Sequence, residues 1–228
     1  MKKNLKIAIA IATISSTLLT FSQALAKTRG SYIGIDVVRA SAKNKTTKKE
    51  IYPDPNIDTY FDTSSKSSKV GFGAHYKYAI NVNNFFIAPG LFYERIGSDA
   101  KINNIVSQWE QSLKIKDRYG VQLDIGYDLT RKFAAYIPIG YSIANYELKT
   151  KDYDDSNSFN TVTKGRKGGL SYGFGINFYP TKAMAINLEY NRTKLDIRPV
   201  GNVALLGGAE LKVKTTLDVI KVGASYHF

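Results

Sequence analysis

The chain has 228 residues, with 32 Lys and Arg against 19 Asp and Glu, two His, no Cys, 16 Tyr and 11 Phe. That length allows one domain or two small ones, and 43% apolar residues exclude a bundle of apolar membrane helices. Absence of Cys removes disulfides, thiolate catalysis and Cys-ligated zinc, while the net charge of +13 points to nucleic acid or an anionic surface, depending on compartment.

The chain opens with a basic segment, Lys2, Lys3 and Lys6, followed by a mostly apolar stretch from Ile7 to Phe21. Ala24 and Ala26 then place small residues where a signal peptidase reads them. The apolar stretch falls short of the about 20 residues a membrane helix needs. The expectation is a cleaved signal peptide over residues 1–26 and an exported domain over residues 27–228, which removes intracellular nucleic acid as a partner.

From there the hydrophobicity alternates with a period of two. An irregular first stretch covers Ser31–Val38. Val70, Phe72, Ala74, Tyr76 and Tyr78 then alternate with Gly71, Gly73, His75 and Lys77. Phe85–Ile96 is a less regular third stretch. Tyr119, Val121, Leu123, Ile125 and Tyr127 alternate with Gly120, Gln122, Asp124, Gly126 and Asp128. Phe133–Glu147 follows, then Leu170 to Phe178 and Met184 to Tyr190, both regular, and finally Thr215–Phe228. Each is a strand with one apolar and one polar face, and together they make eight.

Connections alternate between short (Asn81–Asn84, Thr130–Lys132, Pro180–Ala183) and long (Arg39–Ser68, Gly97–Lys116, Leu148–Lys167, Leu195–Lys214). The long ones are rich in Lys, Asp, Asn, Ser and Thr. An even strand count, short turns on one side and long polar loops on the other predict an all-β, eight-stranded antiparallel up-and-down transmembrane barrel with four extracellular loops. Two aromatic belts agree with a membrane having two interfaces. Tyr78, Phe85, Tyr127, Phe133, Phe178 and Phe228 lie near the short turns; Tyr93, Tyr119, Tyr141, Tyr172 and Tyr190 lie toward the long loops. A soluble periplasmic barrel is the competing reading. Pro89 and Pro138 fall inside strands, where a closed sheet has no free edge, so a bulge or a local break in pairing is expected at each.

Parity also assigns the lumen. Asp36, His75, Lys77, Glu94, Arg118, Asp124, Asp128, Glu189 and Lys221 are expected to face inward and pair as a plug, since eight strands leave room only for side chains. Line them up as a proton or small-ion path and they fit less well; a broad pore is excluded. No catalytic constellation emerges: parity turns His75 into the lumen and away from lipid, His227 sits at the short-turn end, and no loop His can join the acidic pair Asp154 and Asp155. Asp152, Asp154 and Ser156 lack the Gly and distal Glu of a calcium loop, so neither metal nor cofactor is expected.

Counting back from Phe228, alternate residues are Tyr226, Ala224, Val222 and Ile220, a pattern that resembles the assembly signal of outer-membrane barrels. Ser31 to Asp36, Leu170 to Gly175 and Val222 to Phe228 resemble strands of the small eight-stranded outer-membrane family of OmpA's barrel, OmpX, OmpW and the opacity-type proteins. Within it, the Lys-, Ile-, Asn- and Tyr-rich composition is most similar to the rickettsial small-barrel adhesins. That resemblance implies a monomer in the outer membrane, inserted by the barrel-assembly machinery, in contact with lipid and lipopolysaccharide and binding host surface or matrix proteins. The loop residues that suit such contacts are Lys45, Lys48, Lys49, Tyr52, Tyr60, Phe61, Tyr153, Phe159, Leu205 and Leu206. The alternative is a structural or narrow porin-like barrel with no adhesive role.

Overall fold

The computed structural model describes residues 29–50, 59–104, 109–152, 160–197 and 210–228. Its eight strands are β1 (Gly30–Glu50), β2 (Thr59–Val82), β3 (Phe85–Asn104), β4 (Trp109–Asp128), β5 (Phe133–Asp152), β6 (Asn160–Thr181), β7 (Met184–Ile197) and β8 (Glu210–His227). Each pairs antiparallel with its sequence neighbours, and β8 returns to β1 to close the barrel. Ser31 and Phe228 lock that closure by exchanging two backbone hydrogen bonds of 3.0 Å. The β2–β3 hairpin turns at Asn83, whose φ of 58° suits one of the few side chains at ease in the left-handed region.

At the short-turn end the outward face is apolar. Ile33, Ile35 and Val37 on β1, Val70 and Phe72 on β2, Leu91 on β3 and Val222 on β8 are all exposed there. The two aromatic belts border this band on its outside. A tilted membrane strand needs about 9–11 residues, yet β2 has 24. More than half of β2 therefore stands beyond the lipid.

Where the strands leave the lipid, the two faces exchange chemistry. On β8 the outward series Tyr226, Ala224, Val222, Ile220 continues as Asp218, Thr216 and Lys214. The inward series Ser225, Gly223, Lys221 continues as Val219 and Leu217, both fully buried. β1 does the same: Ile33, Ile35 and Val37 give way outside to Arg39, Ser41 and Lys43, while Val38, Ala40 and Ala42 turn inward. The reason is solvent. A wall facing hydrocarbon puts its apolar side out; the same wall facing water must bury that side.

The closed barrel also divides at this height. The last β2–β3 pair is Phe72↔Arg95 and the last β6–β7 pair is Ser171↔Thr193, whereas the other ladders continue upward. Two four-stranded leaves result, β7–β8–β1–β2 and β3–β4–β5–β6. They clasp one apolar core: Val38, Ala40, Ala42, Leu195, Ile197, Leu217 and Val219 from the first, Ile96, Leu113, Ile115, Ala144 and Leu148 from the second. The outer part is thus a small β-sandwich standing on a membrane barrel.

Two expectations need correction. The long connections are not loops over their whole length, because β1 runs on to Glu50 and β2 begins at Thr59, and the strands of the other three long hairpins also run on, least so in β7 and β8. Alternation persists in them with opposite parity, and their polar outward residues give the loop-like composition. At the prolines the local break is present and the bulge is not. Pairing of β2 with β3 skips from Lys77↔Gly90 to Ile80↔Ile87 around Pro89, and that of β5 with β6 from Tyr136↔Gly175 to Ile139↔Tyr172 around Pro138, both without a register shift. Register shifts occur instead at Arg95/Ser98, Ile115/Asp117 and Phe178/Thr181.

Candidate functional site

All nine residues assigned to the lumen by parity face inward. Arg118, Glu94 and Glu189 are 0% exposed. Arg118 grips Glu94 with two parallel bonds, Nε to Oε2 and Nη2 to Oε1, each 2.9 Å, and donates a third to Thr193. Lys221 bridges Glu189 at 2.9 Å and Glu94 at 3.5 Å. Lys77 joins Asp124 at 2.6 Å and Glu189 at 3.4 Å. Tyr136 and Gln122 donate to Glu189 as well, and Asn191 links Gln122 to it. Arg118 and Lys221 also sit over the face of Phe92, 4.9 and 5.2 Å from its centre. Asp128, nearer the short turns, accepts from Asn81.

Glycines make room for this packing. A Cβ on Gly223 would lie 2.1 Å from Asp36 Oδ1, and one on Gly175 would lie 2.3 Å from the Tyr136 ring. The charged layer is covered above by the sandwich core. Below it lies a second cluster of Tyr32, Phe86, Tyr136, Tyr179 and small alanines. Among the described residues the lumen is filled through these three layers, apart from one small cavity beside His75 and Ser225.

One group in it went unforeseen. His75 Nδ1 is 2.7 Å from Asp36 Oδ2, and His75 Nε2 is 2.8 Å from Ser225 Oγ. This is the connectivity of an acid–base–nucleophile relay. Ser225 continues the inward series of β8, so parity alone could have placed it; its pairing with a residue 150 positions away could not be read. The adjoining cavity is about 20 Å³, space for about one water and no acyl substrate. A fluorophosphonate, which phosphonylates activated serines with loss of fluoride, is expected to leave Ser225 of the folded barrel unlabelled, by mass spectrometry of the treated protein. Stoichiometric labelling would show the relay to be reactive.

The rim above the tyrosines is basic. Asp218 there accepts from Arg192 at 2.7 Å and Tyr190 at 2.8 Å, and pairs with Lys43 at 3.3 Å, tying β1, β7 and β8 together. Partial burial pushes its carboxyl up, but the bonds from Arg192, Tyr190 and Lys43 outweigh this and hold it below the usual carboxylate range. A depressed carboxylate stabilises above its unfolded pKa, and that contribution is lost as pH falls below about 4. Mild acidification leaves the clamp closed. On β5, Glu147 pairs with Lys116 at 2.5 Å and Lys149 at 3.5 Å. Among the described residues no group of three or more His, Asp and Glu comes together to hold a metal ion.

Of the surface candidates, Lys45 is exposed on β1. Lys48, Lys49, Tyr60 and Phe61 are strand residues rather than loop residues, with Lys48 opposite Phe61 and Lys49 opposite Tyr60. Tyr52, Tyr153, Phe159, Leu205 and Leu206 lie outside the described residues, as does the signal segment with Ala24 and Ala26. Ile220, Val222, Ala224, Tyr226 and Phe228 share the lipid-facing side of the last strand, with the Tyr226 and Phe228 rings stacked.

A closed eight-stranded sheet with an apolar exterior, two aromatic belts and a polar lumen defines a β-barrel that crosses a membrane by its strands. The family described as outer membrane protein beta-barrel domain matches residues 10–228, and the chain belongs to it. Its place is the bacterial outer membrane. Among solved structures, the attachment invasion locus protein Ail of Yersinia pestis is 18% identical, with TM-score 0.41 over 88% of this chain and 99% of that one. Neisserial surface protein A is 14% identical, with TM-score 0.42 over 87% and 97%. OprG of Pseudomonas aeruginosa is 13% identical, with TM-score 0.48 over 90% and 99%. No curated protein matches the sequence.

Proposed function

We propose that this outer-membrane protein is a surface adhesin, which binds host cell-surface or matrix proteins through its extracellular wall and the loops that cap it. One observation carries the reading: the strands extend far beyond the lipid band while the lumen beneath them is filled. A barrel of this size conducts little through such a layer, and membrane anchorage alone needs no sandwich above the lipid. The outward rim carries Arg39, Lys43, Lys66, Lys164, Arg166, Lys194 and Lys214, a field that draws in acidic surfaces before short-range contacts form. The same cations suit the phosphates of lipopolysaccharide at the outer leaflet. The barrel acts as a monomer, exported by the signal over residues 1–26 and inserted through the pattern ending at Phe228.

The test is binding of the refolded barrel to host cells, beside a barrel whose four hairpins are cut back to the tyrosine belt and closed with Gly-Ser turns. The intact protein should be retained, less so as salt rises, and the cut-back one should wash off. Equal retention would favour the structural or narrow porin-like alternative, for which the fully packed charged lumen is the supporting feature.

A further inference from the structure

The division of the outer wall leaves strand edges whose own neighbour has turned away. β2 is paired with β1 up to Thr59, but with β3 only up to Phe72. β3 departs at Gly97, whose φ of +59° is open to glycine at no steric cost, beside the Arg95/Ser98 register shift against β4. A Cβ on Gly71 would lie 3.1 Å from Ile96 Cα, so β3 still backs β2 at Gly71, and the edge begins above it. Ser68, Lys69 and Val70 are successively exposed, although alternate residues of a covered strand should be buried. Among the described residues, no backbone group outside the ladders bonds to β2 between Ser64 and Val70.

We infer that this open edge of β2 is a strand-addition site for an extended, acidic polypeptide segment of a partner protein. An unpaired row of N–H and C=O groups is matched by one kind of ligand, another extended backbone. The edge sequence Ser64-Ser65-Lys66-Ser67-Ser68-Lys69 has small side chains that admit a close neighbour. Every charged side chain described on Ser64–Val70 and on the facing Arg39–Asn44 is basic: Lys66, Lys69, Arg39 and Lys43. Arg95 stands where the strands part. Because natural proteins guard free edges with lysine, the same charges that repel another copy of this chain select an acidic visitor. The inference rests on the adhesive reading in one respect, that the partner is a host protein.

The probe is a fluorescent peptide of alternating Glu and Val, measured by anisotropy against the refolded full-length barrel. Its counterparts are a Lys–Val peptide and a Glu–Val peptide with alternate backbone amides methylated. The Glu–Val peptide should bind, the Lys–Val peptide should not, and methylation should weaken binding by about tenfold or more, since ladder bonds are lost while charge is kept. Equal binding of the methylated peptide would overturn strand addition. Ser67→Pro and Ser68→Pro give a second arm. Successive N–H groups point to opposite sides, so one of the two variants removes an edge donor and spares the β1 ladder; that variant should lose the peptide while remaining folded. If the peptide binds both folded variants as well as the parent, strand addition is overturned, and adhesion stands so long as host cells still hold the parent. If the peptide binds the edge but host cells do not hold the parent, adhesion falls and the strand-addition site stands.

Discussion

Arg118→Met should destabilise the refolded barrel by about 3–5 kcal/mol, the cost of stranding a buried charge whose partner is gone. Glu94 is 0% exposed and takes two bonds from the guanidinium, so the substitution leaves its carboxylate with Lys221, 3.5 Å away. Thr193 loses a donor as well. Denaturant titration followed by Trp109 fluorescence reads the effect. The pairing account makes a second demand: Glu94→Leu combined with Arg118→Met should recover most of the loss, because an apolar pair of similar volume removes both charges together. Lys221, 2.9 Å from Glu189 in the parent, should retain that partner in the double variant. Additive losses would mean that the two side chains are held by separate interactions.

Leu217→Asp should have an effect of another kind, opening the outer sandwich and sparing the membrane barrel. Leu217 is fully buried among Val38, Ala40, Leu195 and Val219 in the core between the leaves. An unpaired carboxylate there costs several kcal/mol or forces the leaves apart. The membrane part keeps its ladders and its charged layer, which share no side chain with that core. Protease added to the variant in vesicles should therefore trim the hairpins back to the belt and leave a protected barrel, whereas the parent resists. Loss of the whole protein would show that sandwich and barrel fold as one unit.

How far the sequence reached depended on what surrounds each wall segment. In the lipid-facing part, alternation is sharp because hydrocarbon tolerates no polar side chain outside and eight strands leave little room inside. Strand number, the two belts and the inward side of Asp36, His75, Glu94, Arg118 and Glu189 all follow from parity. Which of these residues pair does not follow, since the contacts join distant strands: His75 meets Ser225, and Gln122 and Tyr136 meet Glu189. Above the lipid, the signal was present and misleading. Leu195 and Ile197, like Leu217 and Val219, keep the alternation with the opposite side apolar, but the outward Lys, Asp and Thr between them give the composition of loops. The parting of β3 from β2 falls at Gly97 and a register shift, and neither stands out in a chain with 18 glycines.

The exchange of faces at the tyrosine belt is the central claim, and the chain's lack of Cys makes it directly measurable. Single cysteines placed along β1 at Ile35, Val37, Ala40, Ala42, Ser41 and Lys43, in protein reconstituted in bilayers, are exposed to a membrane-impermeant maleimide. The account predicts that positions 41 and 43 react, that 35 and 37 are shielded by lipid, and that 40 and 42 are shielded by the sandwich core. Rapid labelling at 40 and 42 would mean a water-filled interior above the membrane and would contradict the account.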